Sequence, residues 1–172
     1  MAIGRYLIFA TLALHDHPDQ RHKLATGDTP YVHWFTQEVR RFYPFFPFAA
    51  ARGRHDFDWQ GYFFPEGWRV LLDLYGTNRD PKLWKQPDQF IPERFEHWSE
   101  DAFDFIPQGG GDYRTNHRCA GEWLTIRLME RSLRFLIDHL SYQVPHQDLR
   151  VSLTKIPTLP ASRFKITAVE YR

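Results

Sequence analysis

One cysteine in 172 residues, Cys119, limits how this chain can be held together. A lone thiol forms neither an internal disulfide nor a Cys-based structural zinc site, which excludes stapled secreted scaffolds and zinc fingers. The fold must therefore rest on packing, and 15 Phe, 8 Tyr and 6 Trp supply the material for a substantial core or a ring-lined pocket. With 22 basic against 21 acidic side chains and 42% hydrophobic residues, the chain is neither a disordered polymer nor a basic nucleic-acid module, so no nucleic-acid partner is expected. Length alone gives one domain as the prior.

Tyr6 to Leu14 is an apolar run after Arg5. It is too short for a bilayer, which takes roughly 20 apolar residues, so no membrane span is expected. No small-x-small cleavage site precedes His15-Asp16-His17, which argues against a signal peptide. The chain opens in apolar periodic sequence with no N-cap residue before it, and its start reads as the middle of a helix.

Helical patterns fill the first quarter. Met1 to His15 reads as helix, Pro18 interrupts it, and a short segment runs on through Leu24. Thr26 to Thr29 reads as a loop ending in a cap-like Thr29, with Pro30 at the first helical position. From there Val32, Phe35, Val39 and Phe42 recur at three and four residues, and Pro44 stops the helix near Tyr43. Phe45 to Ala51 is expected to be buried. Phe57–Trp59 and Trp68–Leu74 read as strands joined through the turn Phe64-Pro65-Glu66-Gly67. Asn78 to Trp98, rich in Pro, Asp and Trp, carries little regular structure, and Phe105 to His117 is a long loop containing Gly109-Gly110-Gly111. Ala120 to Leu140 reads as a helix with Leu124, Leu128, Leu136 and Leu140 on one side. Strand patterns return at Ser141–Val144, Leu149–Leu153 and Phe164–Val169. No linker divides the chain.

Three constellations carry chemistry. Cys119 lies behind the glycine loop, beside His117 and Arg118, just before a long helix; helix-start N–H groups and neighbouring cations stabilise a thiolate, which can be a nucleophile, a metal ligand or simply a core residue. Glu38 and Arg41, three apart on a helix, share a face and can pair. Pro87 to Phe95 is pinned by two prolines and two phenylalanines and presents Arg94, whose guanidinium fork suits a buried carboxylate such as Glu38. Nine histidines are scattered without an HExxH pattern, and the triple glycine precedes no Lys-Ser/Thr pair. No ordered Cys/His/Asn signature marks a hydrolase.

In order along the chain, these features resemble the C-terminal portion of a cytochrome P-450. Glu38-Val39-Arg40-Arg41 resembles the E-x-x-R of the family's K helix. Pro87 to Phe95 resembles its P-x-x-F-x-P-E-R-F loop, with Arg94 completing a network with Glu38 and Arg41. His117-Arg118-Cys119-Ala120-Gly121 resembles the end of the haem-binding signature, and Asn78-Arg79-Asp80-Pro81 with Trp84 also fits. The family places a Phe seven residues before the Cys, whereas that position here is Asp112, and Phe105 lies fourteen before. The lengthened Phe105–Asp112 stretch, with Phe35–Phe48 and Leu72–Asn78, is similar to the bacterial fatty-acid peroxygenases.

The resemblance implies a mainly α fold with small β-sheets (α+β), running from mid I helix through K helix, haem-binding loop and L helix to a terminal β-hairpin. It implies haem b, with Cys119 as catalytic iron ligand and Arg52, Gln108, Gly109, His117, Arg118 and Gly121 about the cofactor, Arg52 and His117 toward its propionates. A proximal thiolate donates electron density and favours O–O cleavage to a ferryl haem. Phe45, Phe46, Pro47 and Phe48, with Thr158 and Leu159 at the tip of the last hairpin, are the implied acyl-chain channel. The implied partners are a long-chain fatty acid and hydrogen peroxide with no obligatory reductase, in a bacterial cytoplasm, for hydroxylation or decarboxylation.

A complete member of the family is more than twice as long, so residues 1–172 are expected to be a partial single domain whose N-terminal half is absent. The peroxygenase branch binds the substrate carboxylate with an Arg-Pro pair, and no Arg-Pro dipeptide occurs here. Two alternatives stay open: a non-catalytic remnant or misplaced gene start, and a reductase-dependent monooxygenase.

Overall fold

The computed structural model describes residues 2–26, 29–99 and 101–172. Met1 and the loop positions Gly27 and Asp28 lie outside these, as does the side chain of Thr29, expected to act as a cap. Helix α1 spans Ala2–Asp16, α2 Pro18–Thr26 and α3 Thr29–Phe42. Tyr6, Phe9, Ala10 and Ala13 of α1 face Val32, Phe35 and Val39 of α3 across one core, closed by Met129, Leu133 and Ile137 of helix α5, Glu122–Asp138. Each of the Phe, Val, Leu, Ile and Met side chains here, removed from water, contributes about 1.5–3 kcal/mol.

Helix α5 buries a stripe other than its Leu124–Leu128 side. Ile126, Met129, Leu133 and Ile137 are buried, while Leu124 and Leu128 are 61% and 36% exposed. Both series have helical spacing, so periodicity alone could not choose between them. Contact with α1 and α3 decides it.

Between α3 and α5 lie small sheets. Strand β1 (Phe48–Arg52) pairs antiparallel with β4 (Arg69–Asp73), Phe48 opposite Asp73 and Arg52 opposite Arg69. Nested within them, β2 (Phe57–Trp59) pairs with β3 (Tyr62–Phe64). The Phe57–Trp59 strand therefore turns at Gln60-Gly61, not through Phe64–Gly67. Both turn residues have positive φ, 50° and 82°, as a tight two-residue hairpin needs. Ala49–Arg52 is exposed, contrary to the expected burial of the Phe45–Ala51 run. Helix α4 (Leu74–Thr77) is a single turn whose Gly76 N–H donates to Asp73 Oδ1 at 2.7 Å.

Asn78 to Trp98 is irregular apart from one 3-10 turn at Pro92–Phe95. Trp84, Phe95 and Phe105 form a second buried cluster with Trp98 against it. Strand β5 (Leu140–Gln143) pairs with β6 (Thr167–Tyr171) through a bulge. Leu149–Leu153, expected as a strand, makes only a single bridge, Val151 to Pro160. No helix among the described residues is long and apolar enough to cross a membrane.

Candidate haem-thiolate site

The Glu–Arg–Arg network forms as expected. Glu38 and Arg41 are fully buried, and Arg41 Nη1 also donates to the carbonyls of Asn78 and Pro87, both at 2.9 Å. Arg94 Nε lies 3.1 Å from Glu38 Oε2, and the Ile91 N–H donates to Glu38 Oε1 at 2.8 Å. Arg94 also donates to the carbonyls of Lys85, Gln86 and Gln89. Two guanidiniums thus hold a stretch without regular hydrogen-bonded ladders by its carbonyl groups. Asn78, anchored under Arg41, accepts from the Ile106 N–H at 2.9 Å through Oδ1 and so sets the start of the Cys119 loop.

The loop folds back on itself. Gly109 and Gly111 take φ of 90° and 86°, a region that favours glycine. A Cβ at Gly109 would run into the His117 carbonyl, and one at Gly110 into the Ile106 side chain. This close approach bridges Gly109 to Arg118 and lets the Cys119 N–H donate to the Gln108 carbonyl at 3.0 Å. Asp112, where the family's Phe would stand, instead accepts from the N–H groups of Arg114 and Thr115 at 2.8 and 3.0 Å; those bonds hold its carboxyl below the usual carboxylate range. Phe105 sits in the Trp84–Phe95 cluster, with the Arg40 guanidinium 5.1 Å from its ring centre.

Cys119 is exposed and borders an apolar concavity of about 570 Å³. Phe45, Phe46, Phe48, Leu72 and Leu74 line it together with Gln108, Gly109 and His117. Helix α5 opens two residues later at the cap position Gly121, where an added Cβ would lie 3.9 Å from the Cys119 sulfur.

Of the other expected site residues, several lie elsewhere. Arg118 turns away, donating to Glu122 Oε2 at 2.8 Å with its guanidinium 4.1 Å from the Tyr113 ring centre. Arg52 is at the far end of β1, exposed and across from Arg69, outside the concavity wall. Pro47 is buried, its carbonyl accepting from Tyr75 at 3.0 Å. Thr158 is fully buried; its N–H donates to the Phe45 carbonyl at 3.0 Å and its hydroxyl to the Pro44 carbonyl, so it fixes the Phe45 segment instead of lining the wall. Leu159 is also absent from the wall, and Ile156, not anticipated, is on it. His17 stacks on Phe90 at 4.4 Å, and burial pushes its pKa down.

A largely apolar, iron-bearing cofactor such as haem would fit these residues. The wall is apolar, the three glycines keep side chains off the loop beside it, and the exposed thiol suits iron. The apolar wall, the open glycine loop and the exposed thiol fit a haem-binding protein.

Comparison with known proteins agrees. The cytochrome P450 family model matches residues 17–168. The curated cytochrome P450 71D18 of Mentha gracilis is 30% identical over 141 residues, 78% of this chain and 28% of its own length. Among solved structures, cytochrome P450EX alpha with myristic acid is 48% identical with a TM-score of 0.90, covering 99% of this chain and 42% of that one. An OleT variant with arachidonic acid is 46% identical with a TM-score of 0.89, over 99% and 40% of the two chains. The chain belongs to the cytochrome P450 family, whose cofactor is haem, and its fold is part of the P450 fold. It spans about two fifths of the length of these solved relatives.

Proposed function

We propose that this chain supplies the thiolate-bearing wall of a haem pocket that oxidises long-chain fatty acids with hydrogen peroxide, in a bacterial cytoplasm. The observation that carries the reading is the exposed Cys119 thiol beside an apolar concavity walled by Phe45, Phe46 and Leu72. The likeness to proteins solved with myristic and arachidonic acids supports the substrate class.

Each part of the site has a role in this reading. Cys119 would hold the haem iron, its backbone fixed by the N–H bond to the Gln108 carbonyl, and Gly109 lets the loop approach closely. His117, one of the lining residues, would meet a propionate. Phe45, Phe46 and Phe48 exclude water and orient an acyl chain, and Thr158 fixes the backbone at Pro44 and Phe45. When bound, haem supplies the oxygen-transfer chemistry. In hydroxylation a substrate C–H becomes C–OH while the peroxide O–O bond breaks and water leaves; in decarboxylation fatty acid and peroxide give a terminal alkene, carbon dioxide and two waters.

A second reading is haem binding without turnover. Purified chain loaded with haemin and given myristic acid and hydrogen peroxide separates the two. Hydroxylated acid or a terminal alkene, with no reductase present, is the expected outcome. Haem binding without product favours the second reading, product only with a reductase makes the protein a monooxygenase, and a colourless protein overturns both.

A further inference from the structure

Arg40, next to the Arg41 of the E-x-x-R motif, belongs to a separate buried network that ends on both sides of Cys119. Its side chain is fully buried. Nε donates to Gln108 Oε1 at 3.2 Å, Nη1 to Gln37 Oε1, and Nη2 to Glu122 Oε1. Glu122 in turn receives Arg118 Nε at 2.8 Å and Arg118 Nη2 at 3.3 Å. Gln108 is the residue whose carbonyl accepts from the Cys119 N–H, and Glu122 is the residue whose N–H donates to the Cys119 carbonyl at 3.1 Å. One guanidinium on α3 therefore grips the loop before Cys119 and the helix after it. Tyr6 adds a third anchor, its hydroxyl donating to the Pro107 carbonyl at 3.3 Å.

We infer that Arg40 is a positioning residue that sets the place of the Cys119 sulfur by tying Gln108 to Glu122. The functional part of the inference rests on the haem-thiolate reading above; the positional part does not. The guanidinium is suited to the role because its rigid fork meets three acceptors at once, which a lysine ammonium on a flexible stem does not reproduce. Two guanidiniums share one carboxylate here, so the cluster also carries a net positive charge near the ligand. Partners behind a metal ligand typically change metal affinity by about 10- to 100-fold.

The test uses the 172-residue chain with Arg40→Met, Arg40→Lys and Gln108→Ala, the last removing the Arg40–Gln108 side-chain contact at a partly exposed position while keeping the Gln108 carbonyl that accepts from Cys119. Amide hydrogen exchange without haem comes first. The expected result is exchange at Gly109 and Cys119 at least about tenfold faster in all three variants, with α1 and the β1–β4 pair unchanged. Unchanged loop exchange in Gln108→Ala, or a uniform rise throughout the chain, overturns the inference. Haemin titration follows, with about tenfold weaker binding and a smaller carbon-monoxide band at the thiolate position in Arg40→Met, not restored by Arg40→Lys. Full restoration by lysine would show that charge, not the fork, is what matters, and would overturn the positioning role. If the parent chain fails to bind haemin, the haem-thiolate reading fails while the exchange result still decides the role of Arg40.

Discussion

Arg41 grips both carboxylate oxygens of Glu38, Nε to Oε2 at 2.7 Å and Nη2 to Oε1 at 2.8 Å, with neither side chain exposed to solvent. A bidentate pair this deep is not a stability bonus in itself, because removing two charges from water offsets most of their attraction. Its effect is to fix a loop that has no ladder of its own, through the carbonyls that Arg41 and Arg94 hold.

Breaking the pair should therefore be severe. Glu38→Gln leaves two buried guanidiniums without their carboxylate, and the expected cost is about 3–5 kcal/mol, a large share of the roughly 5–15 kcal/mol that holds a domain together. Urea denaturation followed by circular dichroism measures it. A loss under about 1 kcal/mol, the size of a surface pair, would contradict the account.

Glu122 gives a pH-dependent prediction. Burial pushes its carboxyl up, but the hydrogen bonds from Arg118 and the charge of Arg40 outweigh burial and hold it below the usual value of 4.5. A depressed carboxylate contributes stability that is present above the unfolded value and lost as pH falls through the folded one. Glu122→Gln should thus be destabilised by about 3 kcal/mol at pH 7, and its deficit against the parent chain should shrink as pH falls below 4.5. Thermal midpoints between pH 7 and pH 3 read the gap, and one that stays constant would show that Glu122 is not the group responsible.

Two glycines separate strain from crowding. Gly61, at φ 82°, has open space where a Cβ would go, whereas Gly109, at φ 90°, faces the His117 carbonyl. Gly61→Ala is expected to cost about 1 kcal/mol from backbone strain alone, and Gly109→Ala at least about 2 kcal/mol more through overpacking. Equal losses in thermal melts would refute the close approach of the Gly109 loop to the chain before Cys119.

The sequence showed much of the frame and less of its surface. Val32, Phe35 and Val39 announced α3 because their spacing and Pro44 agree, and Glu38, Arg41 and Arg94 announced their network through motif order. The Leu124–Leu128 face misled because α5 carries two apolar stripes, and only contact with α1 and α3 selects one. The Gln60-Gly61 turn was missed because Pro65 and Gly67 make a stronger local turn signal nearby. Thr158 looked like a wall residue, but a hydroxyl that bonds a backbone carbonyl far along the chain has no sequence signature. The Arg40–Glu122 contact was hidden for the same reason.

The central claim is that Cys119 holds haem iron as a thiolate. Because Cys119 is exposed, Cys119→Ser should leave the fold intact, with a change within about 0.5 kcal/mol. The deciding measurement is the carbon-monoxide difference spectrum of haemin-loaded, reduced chain, recorded for the parent and for Cys119→Ser. A band at the thiolate position is expected in the parent and none in the variant. A band at that position surviving in Cys119→Ser, or a parent chain that binds haem without ever showing it, would contradict the assignment.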